Sequence, residues 1–334
     1  MVHLVNCVGT VLRAVQLLGS WLMVVGYVAV ICATWATNEL AGQESPAEVA
    51  EFAAKCEQVE PGGTVRGYLE LIEYRAGDMP LILAAPHGGR KGPSEFPART
   101  EGTLVSDANT DRLARAVADA AGELTGSRPH LIVCELQRKY MDANRPLDAA
   151  CSPDSGAVRS WHEYQLALIA AKRRVTKAAG RGLFIELHGH GHPKQRLELG
   201  YLLRERDFDL PLAEFEGLKG KTSLREIAER GQLTLDELIR GGSSLSGLLE
   251  KEGLATVPGP TDRSPGKDLY FNGGWNTMTH GSRDAGTISS IQIECHRQDF
   301  RDSEESLKRS SRQLASAIVQ FLELHYAVRP LEAK

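Results

Sequence analysis

The chain has 334 residues, enough for one large domain or two small ones. Hydrophobic residues make up 42% of the sequence and charged residues 25%, which places the chain among ordinary globular proteins. The formal net charge is -4 and there is no long basic run, which argues against a nucleic-acid partner.

The N-terminal segment has the composition of a membrane-associated leader. Residues 14–38 carry no formal charge and are rich in Leu, Val, Ala and Trp, with Arg13 before them and Glu39 after them. A spanning helix needs about 20 apolar residues and the core of a signal peptide about 7–15, so the length favours an anchor or uncleaved signal. A cleavable signal ending near Ala33 or Ala36 is the alternative. We therefore expect residues 1–38 to be a membrane anchor or signal segment.

The position of Arg13 before this segment predicts that the body of the protein lies outside the cytoplasm, either membrane-anchored or secreted. Residues 39–62 read as a tether and a short helix. Ser45 and Glu48 form a capping box around Pro46, and Pro61 begins the break that follows. No Pro/Ser-rich linker divides the remainder, so residues 63–330 are expected to form one catalytic domain.

Strand and helix patterns then alternate along the chain. Short apolar runs predict an edge strand and then further strands, at residues 69–74, 80–86, 130–136, 183–187, 197–203 and 287–293. Helical spacing of apolar residues predicts a helix that opens at Asp107. Further helices are predicted at residues 158–179 and 305–326, and short helices within residues 222–252. This alternation predicts an α/β sandwich with a mixed, largely parallel sheet.

Several predicted strands end in side chains that can bind a metal or transfer a proton. The run at residues 80–86 is followed by His87, the run at 183–187 by His188 and the run at 287–293 by Glu294. The run at 130–136 leads into a cationic loop that contains Arg138. Since parallel strands end at one edge of a sheet, we expect these groups to converge. Two histidines and one carboxylate are a typical ligand set for catalytic zinc with an open fourth position.

The acidic ligand is less clearly marked than the two histidines. Asp107 is the first candidate, although a simple helix cap would also explain it, and Glu95 is the rival. His190 is the nearest competitor of His188. The glycines between the histidines favour supporting or surface positions for His190 and His192.

Other charged side chains fit the remaining steps of amide hydrolysis. Glu294 can act as the general base that moves a proton from water to the leaving nitrogen. Arg138 can polarise the carbonyl, and Arg145 can hold a substrate carboxylate in a bidentate fork. Glu186 is expected to support a ligand rather than to bind the metal.

An ordered set of short motifs spans about residues 80–300 and comprises Pro86–Gly89, Asp107 with Thr110–Leu113, Arg138 with Asp142–Arg145, Glu186–Gly189, Phe271–Gly274 and Gln292–Glu294. In this order the motifs resemble the N-formylglutamate amidohydrolase family, which looks like a branch of the zinc carboxypeptidase-like hydrolases. One departure is Arg90, which stands where the carboxypeptidase pattern has a glutamate three residues after its first histidine.

The resemblance implies a three-layer α/β/α sandwich around one zinc ion (Zn2+). It implies that His87, a nearby acidic residue and His188 bind the metal, with Asp107 inferred as the acidic ligand and Glu95 still open, and that Glu294 is the general base. It also implies that Asn144 and Arg145 bind the carboxylate of the substrate.

The expected function is therefore a zinc-dependent amidohydrolase that cleaves an amide C–N bond of a carboxylate-bearing substrate, such as an N-formylglutamate-like N-acyl amino acid or a peptide. One alternative is an extracytoplasmic peptidase acting on cell-wall or γ-glutamyl peptides. Another is a non-catalytic module on the same fold that binds an acidic ligand through Arg145 and the loop near Trp275. The expected partners are a small-molecule or peptide substrate and, through residues 1–38, a membrane.

Overall fold

The computed structural model describes residues 46–153, 156–329 and 331. The predicted leader, residues 1–38, lies outside the described residues, and so does the first part of the predicted tether. Within the described part of the chain, no helix is long and apolar enough to cross a membrane. Residues 46–51, the first half of helix α1 (Pro46–Gln58), belong to one compact unit, and residues from Phe52 onward belong to a second.

The second unit is built on one eight-stranded sheet. Its strands in chain order are β1 (Thr64–Arg66), β2 (Ile72–Arg75), β3 (Leu81–Ala85), β4 (His130–Cys134), β5 (Gly182–Gly189), β6 (Leu197–Gly200), β7 (Thr256–Val257) and β8 (Ile288–Cys295). They lie in the order β1-β2-β4-β3-β5-β8-β6-β7. The four central strands, β4, β3, β5 and β8, are parallel, while β2 and β6 run antiparallel to their central neighbours. The prediction of an α/β sandwich with a mixed, largely parallel sheet is confirmed.

Helices cover both faces of this sheet. The longer ones are α2 (Thr110–Thr125), α4 (Ala157–Ala179) and α10 (Glu304–Tyr326), and the shorter ones are α3 (Leu147–Ala150), α5 (Leu212–Glu216), α6 (Arg225–Glu229), α7 (Leu235–Arg240), α8 (Leu245–Lys251) and α9 (Trp275–His280). Short 3-10 turns occupy Tyr68–Glu70, Glu205–Asp209 and Lys219–Lys221.

Alternate residues of the central strands belong to two separate cores. Leu81 and Leu83 of β3 pack in the cluster that includes α2 and α10, while Ile82 and Ala84 pack in the cluster that includes α4. Successive side chains of a strand point to opposite faces, so each face buries its own apolar set. The result is a three-layer α/β/α arrangement, with strands apolar along most of their length because both faces are covered.

Two local expectations were wrong at their boundaries. The strand expected from residue 69 begins at Ile72, because Leu69 and Glu70 adopt left-handed backbone angles, with φ of 49° and 55°, that cannot continue a strand. This strand is also not at the edge, since β1 pairs outside it. The helix expected to open at Asp107 begins at Thr110, directly after Asn109 with φ of 67°.

Several histidines lie buried in these cores. Burial lowers the pKa of His130 to about 3 and those of His162 and His325 to about 4. On α10 the ring of His325 lies 4.4 Å from that of Phe321, and the positive charge of Arg230 further disfavours its protonation. The folded protein therefore holds these rings neutral at a pH where the unfolded chain protonates them.

We expect His325→Leu to reduce the loss of stability in acid. The unfolded histidine binds a proton below a pKa of about 6.5, whereas the folded one stays neutral until about 4, so stability falls by about 1.4 kcal/mol per pH unit between these values. Between pH 7 and pH 5 the variant should lose about 2 kcal/mol less unfolding free energy than the wild type in urea denaturation. Leu322→Ala on the same helix is the control and should destabilise equally at both pH values. Equal pH dependence in wild type and His325→Leu would contradict the assignment.

Candidate metal centre

The two strand-end histidines are buried side by side at the carboxyl edge of the sheet. His87 follows β3 after a single proline, and His188 is the penultimate residue of β5. His87 is fully buried and His188 is 3% exposed. Gly88 lets helix α2 begin against the end of β3, since a Cβ there would lie 2.3 Å from the backbone nitrogen of Asp111.

Three ligand atoms form a small triangle at this edge. Nδ1 of His87 lies 3.1 Å from Nδ1 of His188, and Oδ2 of Asp107 lies 3.4 Å from each of them. The point equidistant from the three atoms lies about 1.9 Å from each, close to the length of about 2.0–2.2 Å that zinc bonds to nitrogen and oxygen have. These three residues form a group that could hold a metal ion.

A buried carboxylate orients each histidine. Nε2 of His87 donates to Oδ1 of Asp142 at 2.6 Å, and Nε2 of His188 donates to Oε2 of Glu186 at 2.9 Å. With Nε2 occupied in this way, Nδ1 of each ring is left for a cation. Histidines that bind metals in proteins are usually held by this kind of contact.

Asp107 is fixed by the backbone of both strand ends. Its backbone N–H donates to the carbonyl of His87 at 2.9 Å, and its Oδ2 accepts from the N–H of Gly189 at 3.1 Å. Burial by itself raises the pKa of Asp107, but hydrogen bonds from His188 and His87 hold that pKa far below its usual value. The carboxylate is therefore ionised and available as a ligand. Glu95, the rival acidic ligand, is exposed on the loop before it.

The surroundings of His188 favour a positive charge at the centre of the triangle. Burial by itself lowers the pKa of His188, but the charges of Glu186 and Glu294 and hydrogen bonds to Asp107 and Glu186 outweigh it and raise the pKa to about 10. A divalent cation between the three ligand atoms would satisfy the same carboxylates.

Glu294 lies beside the triangle without belonging to it. The register of β5 and β8 pairs it with His188, and its Oε1 is 4.0 Å from Nδ1 of that histidine. Gln292 donates to the same oxygen at 3.0 Å. Burial raises the pKa of Glu294 to about 7.

The three other predicted site residues occupy different environments. Arg138 is close to the triangle, with Nε 3.0 Å from Oδ2 of Asp142 and Nη1 3.5 Å from Oδ1 of Asp107. Asn144 is buried, but its Oδ1 accepts from the backbone N–H of Asn276 and its Nδ2 faces His188 at 3.3 Å. Arg145 is exposed, and its carbonyl accepts from the indole of Trp161.

Some residues around the site carried no clear signal in the sequence. Asp142 was part of a motif, but its contact with His87 joins positions 55 residues apart and depends on the fold. Asn276 donates to Oε1 of Glu186 at 2.6 Å and so holds that carboxylate against His188. Glu186 itself could be found from the sequence, because residues two apart on a strand share a face.

Together, the fold and this cluster define an α/β protein with a buried His–Asp–His group that could hold a metal ion.

Comparison with known proteins gives distant structural likenesses. No protein-family model matches the chain, and no curated protein matches it. N-formylglutamate amidohydrolase from Ralstonia eutropha JMP134 is 18% identical, with 77% of this chain and 98% of that one covered and a TM-score of 0.46. The gene product Atu2144 from Agrobacterium tumefaciens is 15% identical, with 76% of this chain and 95% of that one covered and a TM-score of 0.44. Succinylglutamate desuccinylase from Chromobacterium violaceum is 14% identical, with 87% of this chain and 77% of that one covered and a TM-score of 0.32. At these identities and scores, the function has to be argued from the site.

We expect Asp142→Asn to weaken metal binding without removing a ligand. The variant loses the carboxylate that orients His87, and changes of this kind typically cost about 10–100-fold in metal affinity. Zinc affinity is measured by competition with a chromophoric chelator. Asp119→Asn, at an exposed carboxylate on α2, is the control and should keep the wild-type affinity. An unchanged affinity in Asp142→Asn would show that this contact does not support a metal ligand.

Proposed function

We propose that the protein is a zinc-dependent amidohydrolase that cleaves an amide C–N bond of a carboxylate-bearing substrate. The observation that carries this proposal is the triangle of His87, Asp107 and His188 ligand atoms, 3.1–3.4 Å apart, with the carboxylate of Glu294 next to it. The substrate class is an N-acyl amino acid, such as N-formylglutamate, or a peptide.

The donor set fits zinc better than a hard cation. Two imidazole nitrogens and one carboxylate oxygen are typical of catalytic zinc, whereas magnesium and calcium prefer oxygen ligands throughout. His87, Asp107 and His188 would hold the ion, which would supply Lewis acidity and make water available as a nucleophile at neutral pH.

Glu294 is placed to move the proton during hydrolysis. Its Oε1 lies 4.0 Å from Nδ1 of His188. Unlike Asp107, it is not one of the three proposed ligands. Unlike Asp142 and Glu186, it does not hold the Nε2 of a ligand histidine. It takes one proton of the attacking water and delivers it to the departing nitrogen, so that the amide and water become a carboxylic acid and an amine.

The two arginines would hold the substrate. Arg138 lies beside the triangle with 13% of its side chain exposed, and can polarise the carbonyl that is attacked. Arg145 is exposed at the end of the loop that carries Asp142 and Asn144, where its guanidinium can bind a substrate carboxylate. Asn144 would bind the substrate carboxylate together with Arg145, and its Oδ1 is held by the backbone N–H of Asn276.

Glu294→Gln tests the proposed reaction. With purified protein and a panel of N-acyl amino acids that includes N-formylglutamate, kcat should fall by about 10²–10⁴-fold because the general base is lost. The zinc content should stay the same, since Glu294 is not a ligand in the triangle. Glu123→Gln, an exposed carboxylate on α2, is the control and should retain full activity.

Two results would overturn the assignment. One is a protein that holds no metal and gives equal trace activity in wild type and Glu294→Gln. The other is binding of an acidic ligand that survives chelation and occurs without turnover, which would favour a binding module.

Arg145→Gln should act on substrate binding rather than on chemistry. Removing a charged hydrogen bond to the carboxylate should raise KM by about 10–100-fold and leave kcat nearly unchanged, because the contact exists equally before and during the reaction. A substrate whose carboxylate is amidated should show no difference between wild type and variant. Arg312→Gln, exposed on α10, serves as the control. If Arg145→Gln lowers kcat with KM unchanged, this role for Arg145 is wrong.

A further inference from the structure

A second group of metal-binding side chains lies beyond the end of β5. His190, His192 and Glu198 each offer a ligand atom, and these atoms all lie within 4.8 Å of one another. His190 is 4% exposed and Glu198 is fully buried, while the side chain of His192 is 16% exposed. None of the three belongs to the triangle described above.

Two of these side chains are held in the way that metal ligands usually are. Nε2 of His190 donates to the carbonyl of Arg196 at 2.8 Å, which leaves Nδ1 as the ligand atom. Oε2 of Glu198 accepts from the backbone N–H of Phe271 at 2.9 Å, which leaves Oε1. In both residues a backbone contact fixes the far atom and orients the near one.

His192 completes the group. Its Nδ1 lies 2.7 Å from Oε1 of Glu198, and its ring stacks on Phe271 with centroids 4.7 Å apart and planes 11° apart. Without a cation this Nδ1 donates to the carboxylate. Metal binding displaces such a proton, after which both atoms can bind the cation. The bond from the N–H of His192 to Nδ1 of His190, 3.1 Å long, would be exchanged for a bond to the metal.

The charge pattern around Glu198 also favours a cation. Glu198 on β6 is directly opposite Glu294 on β8, and both side chains are buried. Like charges directly opposite each other on neighbouring antiparallel strands are destabilising. A cation held by Glu198 would offset this repulsion.

We propose that His190, His192 and Glu198 form a second metal site, separate from the His87–Asp107–His188 triangle, that takes zinc or another first-row divalent ion. Two imidazole nitrogens and one carboxylate suit ions of this class. A metal at this position would tie the loop after β5 to strand β6. The proposal stands independently of the proposed hydrolase activity.

Counting the metal ions in the full-length protein tests the proposal. Metal-free protein is titrated with Co²⁺ and followed by visible absorption, and zinc content is measured by mass spectrometry after gel filtration. The wild type should bind two equivalents. His192→Asn and Glu198→Gln should each bind one equivalent, at the His87–Asp107–His188 triangle. Asp107→Asn should bind one equivalent at the second site. The double variant Asp107→Asn with His192→Asn should bind no metal. His296→Asn, at a partly exposed histidine outside both groups, should keep two.

Several outcomes would overturn the second site. One is a wild type that binds a single equivalent, retained in His192→Asn and lost in Asp107→Asn. Another is two equivalents that persist in both His192→Asn and Glu198→Gln, which would place the second ion elsewhere. Loss of both equivalents in a well-folded His192→Asn would show one shared site instead of two. Since the side chain of His192 is partly exposed, that variant should fold even if Glu198→Gln, in the core, does not.

Discussion

The parallel pairing of β5 with β8 is the constraint on which the chemistry at the sheet edge depends. Eight consecutive residue pairs run from Gly182 with Ile288 to Gly189 with Cys295, and they set His188 beside Glu294. Residues two apart share a face of a strand, so Glu186 lies on the same face as His188. A slip of one residue would turn Glu294 to the opposite face and separate it from the histidines.

Burying this many charged groups is tolerable only because they satisfy one another. Asp142 accepts hydrogen bonds from His87, Arg138 and the backbone N–H of Asn144, so its oxygens are well occupied despite 1% exposure. Groups arranged in this way are costly to break singly, because each removal leaves a buried partner unsatisfied. The geometry of the ligand atoms is thus fixed by a network that extends well beyond the three candidate ligands.

Periodicity and strand direction in the sequence predicted which side chains converge at the sheet edge. His87, His188 and Glu294 do lie together there, because apolar runs lead to them and parallel strands end at one edge. The sequence ranked Asp107 first but left Glu95 open, because the contacts that bring Asp107 to the two histidines are with the backbone of His87 and Gly189, the latter 82 residues away in the chain. The buried position of Asn144 could not be predicted from the sequence either, because its hydrogen-bond partner Asn276 lies on a helix 132 residues later in the chain.

His188, His190 and His192 belong to two different groups because β5 ends at Gly189, between the first and the second of them. His190 still donates its backbone N–H to Cys295 and so extends the ladder with β8, after which the chain turns and brings His192 to Glu198. The two glycines lie in different surroundings. A Cβ at Gly189 would lie 2.3 Å from the guanidinium of Arg301, whereas one at Gly191 would meet nothing within 4 Å. Close packing against Arg301 therefore favours glycine at the first position, while the structure gives no steric reason for glycine at the second.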